Sequence, residues 1–186
     1  NSIEGFRGEP RNKPPFPTTH GLFNEPTVVN NVETLANIPR IILNGGKAFA
    51  SEGTDQSSGT RLFCLSGRVA FPGIYEFEFG ATLGEIIDAA GGFSGSGNLR
   101  AILLGGAAGN FVSPESVNLP LTFEDTREAG VALGSGVIMA FSDKDELTKT
   151  VHRIAEFFRD ESCGQCVPCR VGTVRQEELL LRIADD

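Results

Sequence analysis

Residues 161–170 read "ESCGQCVPCR", which places three of the chain's four cysteines in a Cys-x2-Cys-x2-Cys run. Such spacing lets three sulfurs point at one centre, and thiolates are the ligands of soft or borderline metals. Zinc is one candidate: Cys3His sites exist, and His152 lies one element upstream, but zinc sites usually use two separated pairs. Iron–sulfur clusters favour close triplets, and a cubane cluster commonly takes four thiolates. The run therefore favours a [4Fe-4S] cluster, with Cys163, Cys166 and Cys169 as candidate ligands. Bacterial ferredoxins place a fourth cysteine after three further residues, whereas this chain has Thr173 there and no later cysteine before Asp186. A fourth ligand is expected from beyond these residues, from solvent or from a partner. Gly164 is expected to relieve crowding between the first two cysteines, and Pro168 to stiffen the approach to the third. Arg170 and Arg175 either tune an anionic cluster or are solvated helix charges. Cys64, alone between Phe63 and Leu65, reads as a buried apolar strand residue. His20 and His152 read as structural.

Two helices must hold this loop. Residues 143–161 predict the first, with Ser142 as its cap and acids in its first turn. Leu147, Val151, Ile154, Ala155 and Phe158 form its buried stripe. The second is expected from near Arg170, and its "ELLLRI" is apolar on several sides, as in a bundle lacking its other helices.

Ahead of them, residues 60–142 read as a compact α+β domain. "TRLFCLSG" and "GIYEFEF" predict a hairpin closed at Pro72-Gly73, with Tyr75, Phe77 and Phe79 on one face. A short helix follows: Thr82 and Glu85 make a capping box, Leu83, Ile86, Ile87 and Ala90 face the core, and Gly91 ends it. "LRAILLGG" and "GVIMAF" predict two more strands, and "LLGGAAGNF" reads as a strand end and tight turn. Hairpin, helix, then strands is the order of a β-grasp, or ubiquitin-like, domain. Residues 51–59 predict a polar linker and a domain boundary. Asn31 is a plausible cap for a helix that carries Leu35, Ile38 and Ile42 on one face, with Pro39 kinking or restarting it. Residues 1–30, rich in proline and glycine, predict an extended segment rather than the start of a domain.

Composition narrows the function. Lys plus Arg is 16 against 24 Asp plus Glu, a net charge of −8. An acidic chain without a basic cluster argues against nucleic acid or an anionic membrane as partner. No stretch is long and apolar enough to predict direct membrane insertion. Close cysteines without a secretory signal pattern suggest metal ligands in a reducing compartment.

"NSIEGFRGEPRNKPPFPTTHGLFNEPTVVNNVETLANIP", then the β-grasp pattern, then "ESCGQCVPCRVGT", together resemble one family. It is the flavin-carrying, NADH-oxidising subunit of respiratory complex I, with the related diaphorase subunits of NAD-linked hydrogenases and formate dehydrogenases. The resemblance implies that residues 1–50 are the tail of an FMN-binding α/β domain. It implies a soluble-ligand-binding β-grasp domain at 60–142 and the first helices of an iron–sulfur helical bundle at 143–186. By the same resemblance Cys163, Cys166 and Cys169 are cluster ligands, with the fourth cysteine downstream, and Asn30, Asn31 and Thr34 of "NNVETL" contact FMN. On the residues alone, Asn31 and Thr34 simply cap a helix. The implied activity is electron transfer from NADH through FMN to a [4Fe-4S] cluster and on to partner redox subunits, including a small [2Fe-2S] subunit. The location would be cytoplasmic, peripheral to the membrane. With the nucleotide-binding segments elsewhere, no catalytic residue falls in these 186 positions, and the isolated chain is expected to be inactive toward NADH. The rival expectations are a non-catalytic docking or ligand-binding β-grasp module and a zinc-stabilised structural domain.

Overall fold

A computed structural model describes residues 5, 8 and 10–185. Contacts divide the chain into two units, Ala36–Asp145 and Asn1–Leu35 with Glu146–Asp186.

The first unit is a mixed α+β structure around a five-stranded sheet. Its strands are β1 (Thr60–Gly67), β2 (Gly73–Glu78), β3 (Leu99–Leu104), β4 (Asn110–Val112) and β5 (Val137–Ser142), in the order β2-β1-β5-β3-β4. β1 and β2 form the predicted antiparallel hairpin, with Phe63 opposite Tyr75 and Cys64 opposite Ile74. β1 then pairs parallel with β5, and β5 antiparallel with β3. Successive strand side chains point to opposite faces. Phe63 and Leu65 take the core face of β1, at 0% and 1% exposure, so Cys64 between them must face outward, and it is exposed. The expected burial of Cys64 is thereby corrected: flanking apolar residues in a strand place the middle one on the opposite face.

Helices α1 (Val32–Asn44), α2 (Gly46–Ala50), α3 (Leu83–Ala89) and α4 (Phe123–Glu128) accompany the sheet in the chain. α3 starts on the predicted capping box: the Thr82 hydroxyl accepts from the Glu85 N–H, and the Glu85 carboxylate accepts from the Thr82 N–H. Its Leu83, Ile86 and Ile87, with Ala90, pack against Phe63, Leu65, Ile102, Leu104, Ile138 and Ala140 of the sheet to make the core. Gly91 follows at φ +81°, a left-handed geometry that a Cβ would strain and crowd against Ala70. The segment 105–109 is the expected tight turn between β3 and β4, closed by the Gly109 N–H on the Gly106 carbonyl at 2.8 Å.

Two features depart from expectation here. Residues 51–59 do not run free: the hydroxyls of Thr54 and Ser57 donate to the Glu124 carboxylate at 2.9 and 2.6 Å. α4 has no counterpart among the predicted elements, although Thr122 before Asp125 is a readable start signal and its hydroxyl accepts from the Asp125 N–H at 2.9 Å. α1 continues through Pro39, and its Leu35, Ile38 and Ile42 are exposed.

In the second unit, residues 10–31 form no regular element beyond a 3-10 turn at Leu22–Asn24. α5 (Leu147–Asp160) and α6 (Val167–Asp185) pack against each other. α5 begins later than predicted, because Ser142 is the fully buried last residue of β5 and caps no helix. The acid expected in the first helical turn, Asp145, instead accepts from the Ser142 N–H at 2.7 Å and pairs with Arg68. Only Ala155 of the predicted stripe is fully buried; Leu147, Val151, Ile154 and Phe158 are half-buried. α6 begins three residues before Arg170, so Cys169 lies inside the helix. Among the described residues, no helix is long and apolar enough to cross a membrane.

Candidate functional site

The cysteine run occupies the junction of α5 and α6. Cys163 lies in the loop, Cys166 directly precedes α6, and Cys169 is the third residue of that helix. The Cys166 carbonyl accepts the Arg170 N–H at 2.9 Å, the first bond of the helix. Pro168 sits at the second helical position, where a missing N–H has no partner to lose. Gly164 has φ +79°, and a Cβ there would meet its nearest neighbour only at 3.9 Å. The left-handed backbone therefore requires this glycine, not the crowding expected from sequence.

Two contacts fasten the loop to the first turn of α6. The Ser162 hydroxyl accepts from the Gly164 N–H at 3.2 Å and lies 3.4 Å from the Cys169 sulfur. The Arg170 guanidinium donates to the Gly164 carbonyl. Arg170 thus shapes the loop backbone, whereas Arg175 pairs along its own helix with Glu178 at 2.5 Å.

All three thiols are free and exposed, a donor set whose chemistry fits a thiophilic metal or an iron–sulfur cluster. The N–H groups of a helix start lie beside them, a favourable setting for an anionic centre. Yet among the described residues no three His, Cys, Asp or Glu side chains are grouped closely enough to hold a metal ion. Spacing brings the sulfurs into one short segment; it does not by itself make them converge.

His152 does not join them. Its Nε2 lies 3.8 Å from Oε1 of Glu177, so the fourth donor of the zinc alternative points across to the middle of α6. Glu177 is the one buried charged side chain among the described residues, at 8% exposure. Arg159 reaches it from the end of α5, and one guanidinium nitrogen donates to both carboxylate oxygens at 2.6 and 2.7 Å. The carboxylates of Asp160 and Glu177 raise the Arg159 guanidinium further above its ordinary value. Nothing in sequence spacing singles out this contact, since residues 159 and 177 lie on different helices.

Asn30, Asn31 and Thr34 stand at the start of α1, and all three are exposed. Asn31 is the helix cap: its Oδ1 accepts from the Glu33 N–H at 2.9 Å and its carbonyl from the Leu35 N–H at 3.1 Å. In the sheet unit, an open groove runs along Arg40, Glu52, Thr60, Glu76 and Glu78 over Phe77 and Phe79. Several of its polar groups bond one another or nearby backbone: Arg40 pairs with Glu52, Thr60 donates to Glu76 at 2.5 Å, and the Gly53 N–H reaches Glu78 at 3.3 Å, while Oε2 of Glu52 is buried without a hydrogen-bond partner.

Comparison with known proteins follows the same division. Residues 149–186 match the NADH-ubiquinone oxidoreductase-F iron-sulfur binding region, and residues 62–109 match the SLBB domain. The NADH-quinone oxidoreductase F subunit of Mycobacterium bovis is 42% identical over 183 residues, which cover 98% of this chain and 41% of that protein. Its Escherichia coli counterpart is 43% identical over 173 residues, covering 92% of this chain and 39% of its own length. The crystal structure of NAD+-reducing [NiFe]-hydrogenase in the air-oxidized state superimposes with a TM-score of 0.86 at 41% identity. That match covers 99% of this chain and 31% of the hydrogenase chain. The present chain thus spans about two-fifths of the length of the curated relatives.

Proposed function

Because the chain is homologous along nearly its whole length to part of the NADH-quinone oxidoreductase F subunit, we propose that it is the cluster-bearing segment of an NADH-oxidising subunit. In this reading Cys163, Cys166 and Cys169 supply three thiolates to a [4Fe-4S] cluster, and the fourth ligand comes from outside residues 1–186. Asn30, Asn31 and Thr34 contribute one edge of an FMN site, with the Asn31 cap anchoring that edge to α1. When bound, FMN and the cluster supply the redox chemistry, accepting a hydride from NADH and relaying single electrons. This chain's residues bind and orient: the thiolates hold, Gly164 turns the loop, and Ser162 and Arg170 fasten it to α6. Holding a metal centre and ordering its loop are commonly coupled, so a bound cluster would be held by these three thiolates and would order the loop that carries them.

The sheet order β2-β1-β5-β3-β4, with β1 and β5 parallel at its centre, supports a β-grasp assignment for residues 60–142. The groove is open, and its Arg40, Thr60 and Glu76 side chains are engaged with groove neighbours, which favours a structural or interface role over small-molecule binding. Residues 1–50 are then the end of the FMN-binding domain and 143–186 the opening of a helical bundle. The partners are other redox subunits, a small [2Fe-2S] subunit among them, in a cytoplasmic assembly peripheral to the membrane. Whether that assembly reduces quinone or serves a hydrogenase or formate dehydrogenase depends on those partners.

The observation that carries this reading is the free, exposed thiol triplet at the α5–α6 junction. The test is anaerobic purification of the full-length gene product with assay of iron and acid-labile sulfide. About four of each per chain, with visible absorbance that bleaches on reduction, is the expected result. Stoichiometric zinc, or no metal after reconstitution with iron and sulfide, overturns it. Residues 1–186 alone should not reduce a dye with NADH above a free-flavin control.

A further inference from the structure

Glu177 raises a question that the cluster reading leaves open. A carboxylate removed from water is costly unless paired and hydrogen-bonded. Here it sits near the middle of α6, eight residues after the last cysteine, and its partner Arg159 lies four residues before the first. His152, two turns further back on α5, brings its Nε2 to 3.8 Å from the same carboxylate. That Nε2 is buried and has no hydrogen-bond partner. Arg159 therefore joins α5 to α6 at Glu177, with His152 facing the same carboxylate from further back on α5, and the cysteine loop is the chain between the joined points. Arg159 also pairs within α5, with Asp160 at 2.8 Å and Glu156 at 3.8 Å, and Lys149–Glu146, Arg153–Glu156 and Arg175–Glu178 are local pairs three residues apart and more exposed; of these pairs, only the Glu177 contacts cross from α5 to α6.

An ion pair that takes a carboxylate out of water is weak evidence for stability as such; its best-attested use is to fix register between packed elements. We infer that Glu177 and Arg159, supported by His152, are positioning residues: they set the register of α5 against α6 and so hold the cysteine loop where its three thiols can close on one centre. The inference rests on the cluster reading of that loop. It assigns the clamp no contact with the metal, only control over the geometry of the residues that do contact it.

Two readouts separate this inference from the reading beneath it. The first is independent of any cluster: cadmium(II) alone is titrated into the reduced chain, and thiolate-to-metal absorbance reports binding by the triplet. Glu177→Gln, close in size but uncharged, should weaken cadmium binding several-fold. Arg175→Gln, which breaks an ion pair within one helix, should leave it unchanged. Arg159→Gln, which removes the partner of the buried carboxylate, should cause a loss of the same order as Glu177→Gln if the pair acts through register. Circular dichroism of each variant separates loss of register from loss of the helices. The second readout is the full-length gene product, in which Glu177→Gln should speed cluster loss to a chelator by a similar factor and broaden the signal of the reduced cluster in electron paramagnetic resonance. Wild-type cadmium affinity in a folded Glu177→Gln or Arg159→Gln variant overturns the inference. An unchanged clamp effect on cadmium together with absence of iron from the full-length protein overturns the cluster reading alone.

Discussion

Replacing Phe63 by alanine tests the face assignment of β1, on which the core depends. Phe63 is fully buried against α3 and the neighbouring strands, while Leu62 beside it is 46% exposed. A buried phenylalanine hides about 150–250 Å². At about 25 cal/mol per Å², that burial is worth about 4–6 kcal/mol. Partial collapse of the site brings the expected loss to about 3–5 kcal/mol for Phe63→Ala. Against a typical domain stability of about 5–15 kcal/mol, the loss is large enough to leave part of the population unfolded. The assay is urea unfolding followed by far-ultraviolet circular dichroism, since the chain has no tryptophan and one tyrosine. With a slope of about 2 kcal/mol per M, the midpoint should fall by about 2 M. Cys64→Ala, one position along the same strand, should stay within about 0.5 kcal/mol of the wild type, as for an exposed site. Equal losses at the two positions, or a greater loss at Cys64, would refute the alternation argument and with it the register of β1 against β2 and β5.

Three further outcomes are expected. Thr82→Ala removes the hydroxyl that caps α3 and should cost about 1 kcal/mol in the same assay. The Arg68 guanidinium, followed by the Ser142 N–H, holds the Asp145 carboxyl well below its usual range. Its contribution to stability is therefore complete above the ordinary aspartate value of about 4 and is lost as pH falls below it; Asp145→Asn should lose less stability than the wild type between about pH 5 and pH 3, and equal slopes would count against the pairing. In the reduced native chain all four cysteines should react with a thiol reagent without denaturant, because all four are exposed; a slow, denaturant-dependent fourth thiol would show that Cys64 is buried after all.

Much of this protein was legible in order along the chain because the signals are local. A capping box joins residues three apart, so Thr82 and Glu85 announce α3 without help from the rest of the chain. The hairpin of β1 and β2 follows from alternation on either side of a proline-glycine turn. The cysteine run declares its donor chemistry in seven residues. The features that escaped sequence reading depend on partners distant in the chain. Cys64 faces outward because Phe63 and Leu65 claim a core built by strands and a helix from elsewhere. α5 starts late because Arg68, far upstream, engages the acid that would have opened it. The 51–59 segment is held because Glu124 lies beside it in space. So the residue types at 163, 166 and 169 determine which chemistry is available. Where those sulfurs stand depends on how α5 and α6 are set against each other, and the two helices are joined by a buried carboxylate on one and a guanidinium on the other, 18 residues apart in the chain.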